Sequence, residues 1–390
     1  MNEDQIVSKM GNGRILFVLG SLAVGGTETQ LAILAERLKI RGWVIDVFPL
    51  EKSGPLVARL ERAGVHVIDG GHRSSGGLRI AKLASLIGCE ARLVLRILRS
   101  RPDVVHSFLP LTNFLSALAG RITFVVPLVI TSRRALGRHQ NRHPAWRWLD
   151  RLANAWSDVI TANSQAVASD TQARDGYDVS RIVVIPNGVD FARLDKARKR
   201  RDETRDKLGL SKTDIAIVMV ANLIPYKGHA ELIEAFARIA VGDPRLKLFL
   251  VGEDQGIAEN LMGNAHRLGA AHNIILMGQR TDVPILLSAM DLGVMSSHEE
   301  GFSNALLEKL AAGLPVVATD VGGNPEALEG MPGCILVRPQ DADDLARGLA
   351  DAISKLGADD QSRKIRQARV RERYSVDAMV DAYERLYRRT

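Results

Sequence analysis

The sequence has 390 residues, of which 46% are hydrophobic and 25% are charged, a balance typical of globular proteins with more than one domain. The net charge is +7, and only two cysteines occur, far apart, which excludes a disulfide framework or a cysteine-rich metal site and favours a reducing compartment. No apolar run reaches about 18 residues, so we predict no transmembrane helix, and the polar residues 1–13 are expected to form a disordered lead-in rather than a signal peptide.

Short apolar runs alternate with amphipathic segments along the first half of the chain. Residues 14–19 and 43–50 have the composition of strands, and helical periodicity follows each of them, with Leu31, Leu34 and Leu38 on one face of the first helix. Further strands are predicted at residues 104–106, 128–131 and 159–161. Strands that alternate with helices predict a parallel sheet built from βαβ units.

The alternation pauses in the middle of the chain and then resumes. We predict a first Rossmann-like domain at residues 14–190, a charged linker at 191–210 and a second Rossmann-like domain at 211–370. A C-terminal helix at 371–390 is expected to pack across the domain junction, although a plain surface helix fits equally well. The fold class is therefore α/β, with two tandem doubly wound domains whose strand ends would face a central cleft.

The strongest candidate site follows the predicted strand that ends near Met295. A loop carrying Glu300 leads to a helix whose N-cap is Ser303, and the free N–H groups of a helix N-terminus favour a phosphate. Glu308 lies about two turns into that helix, and carboxylates are good acceptors for sugar or ribose hydroxyls. From spacing alone, an acidic loop before an ordinary helix with solvated glutamates remains the better interpretation.

The order of residues around this loop resembles the family 4 retaining glycosyltransferases of GT-B fold. That family has two glutamates separated by seven residues, which Glu300 and Glu308 match, and the resemblance continues through residues 313–323 to Glu326. It implies that Glu300 contacts the donor sugar and Glu308 the nucleotide ribose. The other donor-binding residues implied for this loop and helix are Gly301, Phe302, Ser303, Asn304 and Leu307.

The resemblance extends over most of the chain and implies that the first domain binds the acceptor and the second binds the donor. Gly25 and Gly26 correspond to a loop that touches the donor diphosphate and the acceptor, although a tight strand-to-helix connection explains them equally well. Lys227 matches the basic residue that neutralises the diphosphate, and Gly252 marks a strand end with room for the nucleotide.

Two positions depart from the family pattern. Many members carry an arginine where this chain has Asn222, and Arg280 is the candidate replacement, with an ordinary surface arginine as the alternative. Members also often have a His-x-His motif, of which this chain keeps His106 and replaces the second histidine by Phe108. A catalytic role for His106 competes with that of a hydrogen-bonded structural histidine.

The resemblance implies a hexosyltransferase that uses Lys227, Glu300 and His106 and needs no metal or other cofactor. The donor would be a UDP- or GDP-sugar, from which a hexose or N-acetylhexosamine passes with retention to a hydroxyl of a glycan or lipid-linked acceptor. Cell-envelope polysaccharide biosynthesis, as in O-antigen, exopolysaccharide or capsule, is the expected pathway. The alternatives are a GT-B sugar-nucleotide 2-epimerase and a non-catalytic sugar-nucleotide-binding protein.

The positive charge lies entirely in the first half, because residues 1–190 carry a net charge of +8. This asymmetry indicates an anionic partner or simply a solvated basic face. Arginine and tryptophan together suit a membrane interface, and no nucleic-acid recognition motif is present. We therefore expect a cytoplasmic protein with peripheral contact to an anionic inner membrane face, made by Arg133, Arg134, Arg138, Trp146 and Trp148.

Overall fold

The computed structural model describes residues 12–73, 79–137, 144–176, 179–357 and 360–388. These residues form two compact units. The first contains the described residues up to Gly188 together with those from Val376 onward, and the second is Val189–Ser375. Most of the predicted lead-in lies outside the described residues, but Asn12 and Gly13 are bound to the first unit, where the Gly13 carbonyl accepts a hydrogen bond from the backbone of Val44.

Each unit contains one parallel sheet, and the two predicted doubly wound domains are confirmed. The first sheet has the order β3-β2-β1-β4-β5-β6-β7 and the second the order β10-β9-β8-β11-β12-β13. The strands of the first sheet are β1 (Arg14–Leu19), β2 (Val44–Pro49), β3 (His66–Val67), β4 (Val104–Phe108), β5 (Leu128–Arg133), β6 (Val159–Ala162) and β7 (Ile182–Val184). Those of the second are β8 (Ile215–Val220), β9 (Leu246–Val251), β10 (Ile274–Gly278), β11 (Leu292–Met295), β12 (Val316–Thr319) and β13 (Ile335–Val337).

Helices connect most of these parallel strands, as parallel pairing requires. In the first unit they are α1 (Gly26–Ile40), α2 (Leu56–Arg62), α3 (Arg79–Ser100), α4 (Pro110–Thr123), α5 (Pro144–Trp156) and α6 (Gln165–Asp175). In the second unit they are α7 (Phe191–Arg198), α8 (Arg201–Lys207), α9 (His229–Ala240), α10 (Ala258–Arg267), α11 (Val283–Ala289), α12 (Asn304–Ala312), α13 (Asn324–Leu328), α14 (Ala342–Ser354) and α15 (Asp360–Tyr374). The last helix, α16 (Val376–Tyr387), belongs to the first unit.

The central strands are apolar on both sides because helices cover both faces of each sheet. In β1, Ile15 and Phe17 belong to the core that includes α1 and α16, whereas Leu16 and Val18 belong to the core that includes α3 and α4. In the second unit, α9, α10 and α14 share one core with β8, and α11 shares the opposite core. Alternate residues of each strand therefore pack against the helices on opposite faces of the sheet.

The segment predicted as a linker, residues 191–210, is helical and part of the second unit. It forms α7 and α8, because Phe191 and Leu194 are buried in a core that also contains residues of α12 and α15. Arg205 donates to the carboxylate of Asp291 at 2.9 Å and to backbone carbonyls of the same unit. The charged residues of this segment thus form ion pairs on a packed surface, and the segment is not a linker.

In each sheet the strand order reverses beside the first strand of the unit, between β1 and β4 and between β8 and β11. Adjacent loops at the carboxyl ends of such strands leave on opposite sides of the sheet, and a crevice forms there that commonly binds ligands. In the second unit the two loops at this point are those that carry Lys227 and Glu300.

Candidate active site

Two loops meet at the switch point of the second sheet. The loop after β8 contains a short 3₁₀ turn, Pro225–Lys227, and the loop after β11 leads from Ser296 to the N-cap of α12. The backbone N–H of His298 donates to the carbonyl of Tyr226 at 2.8 Å, and the Ser296 hydroxyl donates to the carbonyl of Gly228 at 2.9 Å. These contacts fix one loop against the other.

A salt bridge joins the two loops. The ammonium of Lys227 donates to Oε1 of Glu300 at 2.7 Å, and the Ser297 hydroxyl donates to the same oxygen at 2.7 Å. The Lys227 side chain is 19% exposed and that of Glu300 is 10% exposed, so the pair is largely shielded but still reaches solvent. A ligand that approaches this edge of the sheet can therefore contact both charges.

The loop that carries Glu300 is supported from the far side by glycines that follow β12. The N–H of Gly323 donates to the carbonyl of Gly301 at 3.0 Å. Gly322 has a φ of +52°, and a Cβ at this position would lie 1.8 Å from the Glu300 carbonyl oxygen. The glycine pair thus lets two backbones approach more closely than any side chain would allow.

The helix α12 begins directly after this loop. The hydroxyl of Ser303 accepts a hydrogen bond from the backbone N–H of Leu306, so Ser303 is the N-cap that the sequence predicts. Glu308, which lies further along α12, is half-buried, and burial raises the pKa of its carboxyl group, whereas Lys309 and Arg193 lower it. The helix start, Lys227 and two carboxylates together form a site suited to a ligand with both phosphates and hydroxyls.

Comparison with known families agrees with this geometry. A family model described as Glycosyltransferase Family 4 matches residues 24–193, and one described as Glycosyl transferases group 1 matches residues 200–371. This chain belongs to the family 4 glycosyltransferases. The structure of HepE from Anabaena in complex with UDP resembles this glycosyltransferase with a TM-score of 0.83 at 23% identity, covering 97% of this chain and 100% of that one, which shows the GT-B fold.

Curated relatives carry the names of several activities. A D-inositol 3-phosphate glycosyltransferase of Segniliparus rotundus is 32% identical over 244 residues, which are 60% of this chain and 53%, about half, of that protein. One from Geodermatophilus obscurus is 29% identical over 362 residues and covers 86% of this chain and 79% of that protein. An N-acetyl-alpha-D-glucosaminyl L-malate synthase of Bacillus anthracis is 26% identical over 305 residues, 74% of this chain and 75% of that protein.

Several residues predicted to bind the donor serve the fold of this glycosyltransferase. The side chains of Phe302 and Leu307 are buried in the core beneath α12, where the ring of Phe302 lies 5.3 Å from that of Tyr374. They do not present a side chain to a ligand, which corrects the prediction for Leu307 and leaves only the backbone of Phe302 as a candidate contact. Ser303, Asn304 and Gly301 lie at the start of α12, as predicted.

Arg280, the candidate replacement for the missing arginine, and Asn222, which stands at its position, both already have hydrogen-bond partners. Arg280 forms a paired contact with Asp282, at 2.9 and 2.8 Å, and the Asn222 side chain accepts a hydrogen bond from the backbone of Glu253 at 3.2 Å. At Gly252 a nucleotide contact stays a prediction. A Cβ there would lie 2.0 Å from the carbonyl oxygen of Ala221, so the glycine makes room for the neighbouring backbone.

The predicted catalytic role of His106 is wrong. Its side chain is fully buried in the first unit, and its two ring nitrogens lie 2.7 Å from the Tyr387 hydroxyl and 2.7 Å from the Ser132 hydroxyl. Burial, and secondarily Arg134, holds its pKa well below the usual value, so the ring is neutral. A neutral ring without exposed surface cannot contact a bound sugar, and His106 instead connects β4 to α16.

The residues predicted to contact a membrane have different environments. Arg133 is buried against Asp150, so this prediction is wrong for Arg133. Arg134 is half-buried and donates to the side chain of Asn187, while Arg138 lies outside the described residues. On α5, Trp146 is half-buried and Trp148 is 62% exposed.

At the switch point of the first sheet, Gly25 is the N-cap of α1 and Gly26 its first residue. The carboxylate of Glu28 folds back over this turn, and a Cβ on Gly25 would lie 2.2 Å from one of its oxygens. Burial raises the pKa of Glu28, while Arg134 lowers it. A donor contact at these glycines stays a prediction, as does independence from metals, although no cluster of potential metal ligands occurs among the described residues.

Gly228 allows a direct test of how the two loops are joined. Gly228 and Gly269 have the same φ of +74°, but a Cβ on Gly228 would lie 1.9 Å from the Ser296 carbonyl oxygen, whereas one on Gly269 would meet nothing within 4 Å. We expect Gly269→Ala to lower the free energy of unfolding by about 1 kcal/mol through backbone strain alone. Gly228→Ala should cost about 3 kcal/mol or more, because the loops must separate.

Urea denaturation of both variants measures this difference. Equal losses of stability would contradict the role of Gly228 in joining the loops, because the backbone strain is matched and only the steric contact differs.

Proposed function

We propose that this glycosyltransferase transfers a sugar from a nucleoside diphosphate sugar to an acceptor hydroxyl with retention of configuration. The observation that carries the proposal is the Lys227–Glu300 pair, held at 2.7 Å beside the N-terminus of α12 at the switch point of the sheet. This arrangement offers a cation and the N-terminus of a helix for phosphates, with a carboxylate next to them for sugar hydroxyls. An ion pair with a purely structural role has no physical reason to lie at the edge of the sheet where ligands bind.

Each group has a separate role in the proposed complex. Lys227 and the first N–H groups of α12 bind the diphosphate, and Glu300 accepts hydrogen bonds from hydroxyls of the transferred sugar. Glu308, partly exposed further along α12, accepts hydrogen bonds from the ribose. Burial raises the pKa of Glu308 while Arg193 and Lys309 oppose this shift, so nearby cations favour the carboxylate that the ribose contact requires.

The chemical step places its main demand on electrostatics. The acceptor oxygen forms a bond to the anomeric carbon on the face from which the nucleotide leaves, while the bond from that carbon to the phosphate oxygen breaks. The acceptor proton passes to the departing diphosphate, and the product is a free nucleoside diphosphate. Negative charge grows on the leaving group, and fixed dipoles and cations stabilise it most effectively when they are arranged in advance.

The similar proteins support a class of donor but do not agree on an acceptor. Structures of HepE with UDP and with UDP-glucose, both at 23% identity, support a UDP-sugar donor, with GDP-sugars as the alternative. The relatives are named for D-inositol 3-phosphate and for L-malate, so family likeness does not select one acceptor. We propose a hexose or N-acetylhexosamine donor sugar and a glycan or lipid-linked acceptor of cell-envelope polysaccharide biosynthesis, because the first half of the chain is basic.

A panel of UDP-, GDP- and ADP-sugars tests the donor proposal through thermal shift and nucleotide release. We expect stabilisation by one nucleotide class and slow release of that nucleotide even without acceptor. In the same assay Glu308→Ala should bind the nucleotide about tenfold more weakly, the effect of losing charge-assisted hydrogen bonds to the ribose. The absence of any shift with the whole panel would contradict the proposed function.

A membrane contact is proposed on a surface other than the arginine-rich segment. The helix α3 exposes one apolar stripe along its length, formed by Ile80, Leu83, Ile87, Leu95 and Leu98. Helices α3, α4 and α5 pack side by side, and Phe124, which follows α4, is 91% exposed. No described helix is both long enough and apolar enough to cross a membrane. An apolar stripe on a basic half-chain fits a helix that lies on an anionic surface at the cytoplasmic face.

Co-sedimentation with vesicles tests this surface. We expect binding to vesicles that contain phosphatidylglycerol, weak binding to phosphatidylcholine alone, and a loss of about tenfold when Leu83 and Ile87 are replaced by serine. Val241→Ser is the matched control, because Val241 is 62% exposed but lies in the second unit. Equal binding by the two variants, or binding without dependence on anionic lipid, would contradict the proposal.

A further inference from the structure

Lys309 is the most unusual side chain near the proposed donor site. It lies on α12 and has no exposed surface, and its ammonium makes no hydrogen bond to any residue that the structure describes. Its aliphatic part packs over Gly293 of β11, where a Cβ would lie 2.6 Å from Cδ of the lysine. An apolar residue is expected at such a position, because burying an unpaired charge destabilises the folded state.

The direction of this side chain connects it with the site. Side chains on a helix lean toward its N-terminus, which for Lys309 is the direction of the loop that carries Glu300. The charged groups that act on it are the carboxylates of Glu308 and Glu300, which favour its protonated form, and Lys227, which opposes it. Burial, the largest influence, lowers the pKa of Lys309 to about 8.

The charges of the donor site require a second cation. Lys227 is paired with Glu300 at 2.7 Å, so Glu300 loses its partner cation if Lys227 turns toward a diphosphate. Arg280 is held by Asp282, and Asn222 stands where many family members carry an arginine. Lys309 is a cation whose ammonium has no hydrogen-bond partner among the described residues, and Glu300 is one of the carboxylates that favour its protonated form.

We propose that Lys309 is a positioning residue of the donor site, which stabilises the Glu300 carboxylate from inside the protein and so frees Lys227 to bind the donor diphosphate. This inference rests on the proposed function, because it assigns the diphosphate to Lys227. It explains why a buried ammonium without a hydrogen-bond partner is retained beside Gly293. The buried ammonium of Lys309 destabilises the fold, but in this proposal it favours the state in which the donor is bound.

The test compares Lys309→Met with the wild-type protein in binding UDP, measured by calorimetry. Methionine has a similar shape without the charge, so we expect UDP to bind about tenfold more weakly to this variant, while its melting temperature at pH 7 equals or exceeds that of the wild type. Lys212→Met, at an exposed position before β8, is the control and should change neither quantity.

Two further measurements separate a role in the site from a merely structural one. In a Glu300→Gln background, Lys309→Met should weaken UDP binding by less than it does in the wild type, because the interaction with Glu300 is already absent and only that with Glu308 remains. The wild-type affinity should also fall toward that of the variant as the pH rises through about 8, where Lys309 loses its proton, whereas the variant should remain constant over this range.

The outcomes distinguish this inference from the proposed function. A wild-type protein that binds no nucleotide would contradict the proposed function. A wild-type protein that binds UDP, together with a Lys309→Met variant of equal affinity, would overturn only the role of Lys309. A variant that is less stable than the wild type, or that fails to fold, would also overturn it, because the ammonium would then be a stabilising structural group.

Discussion

Replacing Lys227 by methionine is expected to lower kcat/KM for sugar transfer by about two to three orders of magnitude, the usual effect of removing one preorganised electrostatic group from a transition state. Lys227 lies at the carboxyl edge of the sheet and is partly exposed, so it can reach a ligand, and charge grows on the diphosphate as the sugar leaves. The loss should appear largely in kcat, because the interaction strengthens as the bond breaks.

The measurement is steady-state kinetics with the donor that the nucleotide panel identifies. Lys364→Met is the matched control, since Lys364 also forms an ion pair, with Asp360 at 2.8 Å, but lies on the exposed side of α15. Loss of this surface pair should leave kcat/KM unchanged. A Lys227→Met enzyme with activity close to that of the control would show that the Lys227–Glu300 pair serves only the fold.

Stability has to be followed in the same variants. Glu300 is only 10% exposed, and a methionine at position 227 leaves its carboxylate with the hydrogen bond from the Ser297 hydroxyl but without the cation of this pair. Glu300→Gln combined with Lys227→Met removes both charges and should recover stability without recovering activity. Recovery of activity in the double variant would assign the kinetic loss to misfolding rather than to the missing cation.

The architecture could be predicted because local patterns determine it. The run Arg14–Leu19 is apolar at nearly every position, as a central parallel strand must be, and the helix that follows shows the period of an amphipathic segment. Ser303 was predictable as an N-cap for the same reason, since a serine before a helical segment accepts from the first free N–H groups. Each of these features depends on neighbours in the sequence.

The candidate site depends instead on residues that are distant in sequence. Lys227 and Glu300 are 73 positions apart, and neither the spacing nor the composition of their loops indicates that they form a salt bridge. The resemblance assigned the two residues to different parts of a ligand, diphosphate and sugar, and therefore did not predict that they bind each other. Gly228 and Gly322, which hold the two loops in place, are recognised only from the backbone atoms opposite them.

Burial is the property that the sequence indicated least well. Arg133 occurs in an arginine-rich run and His106 in a partly matched motif, yet both side chains are enclosed and hydrogen-bonded. Lys309 follows Glu308 in an apparently ordinary helix and is nevertheless fully buried. In each case a polar side chain is enclosed by elements from elsewhere in the chain, so its environment follows from tertiary packing and not from its immediate neighbours.

Replacing Arg133 by methionine is expected to lower the free energy of unfolding by about 3 to 5 kcal/mol, the cost of removing one partner of a buried ion pair. Its guanidinium donates to Oδ1 of the fully buried Asp150 at 2.5 Å and to the Asn154 side chain at 2.7 Å. It also lies 4.0 Å from Asp175, where burial raises the carboxyl pKa and Arg133 opposes that shift. Without the guanidinium, Asp150 on α5 and Asp175 at the end of α6 are two enclosed carboxylates that have lost a nearby cation.

Urea denaturation at two pH values distinguishes this loss from a loss of packing. Burial already raises the pKa of Asp175 in the folded state and Arg133 opposes this shift, so removing Arg133 raises that pKa further. The variant therefore loses stability relative to the wild type as the pH rises from the unfolded pKa of this carboxyl group through its folded pKa. The difference in free energy of unfolding between the variant and the wild type should therefore become smaller in acid. A difference caused by lost packing would be independent of pH. Arg147→Met, an exposed neighbour on α5, should change stability by less than about 0.5 kcal/mol. If Arg133→Met lost as little stability as Arg147→Met, Asp150 and Asp175 would be stabilised without Arg133.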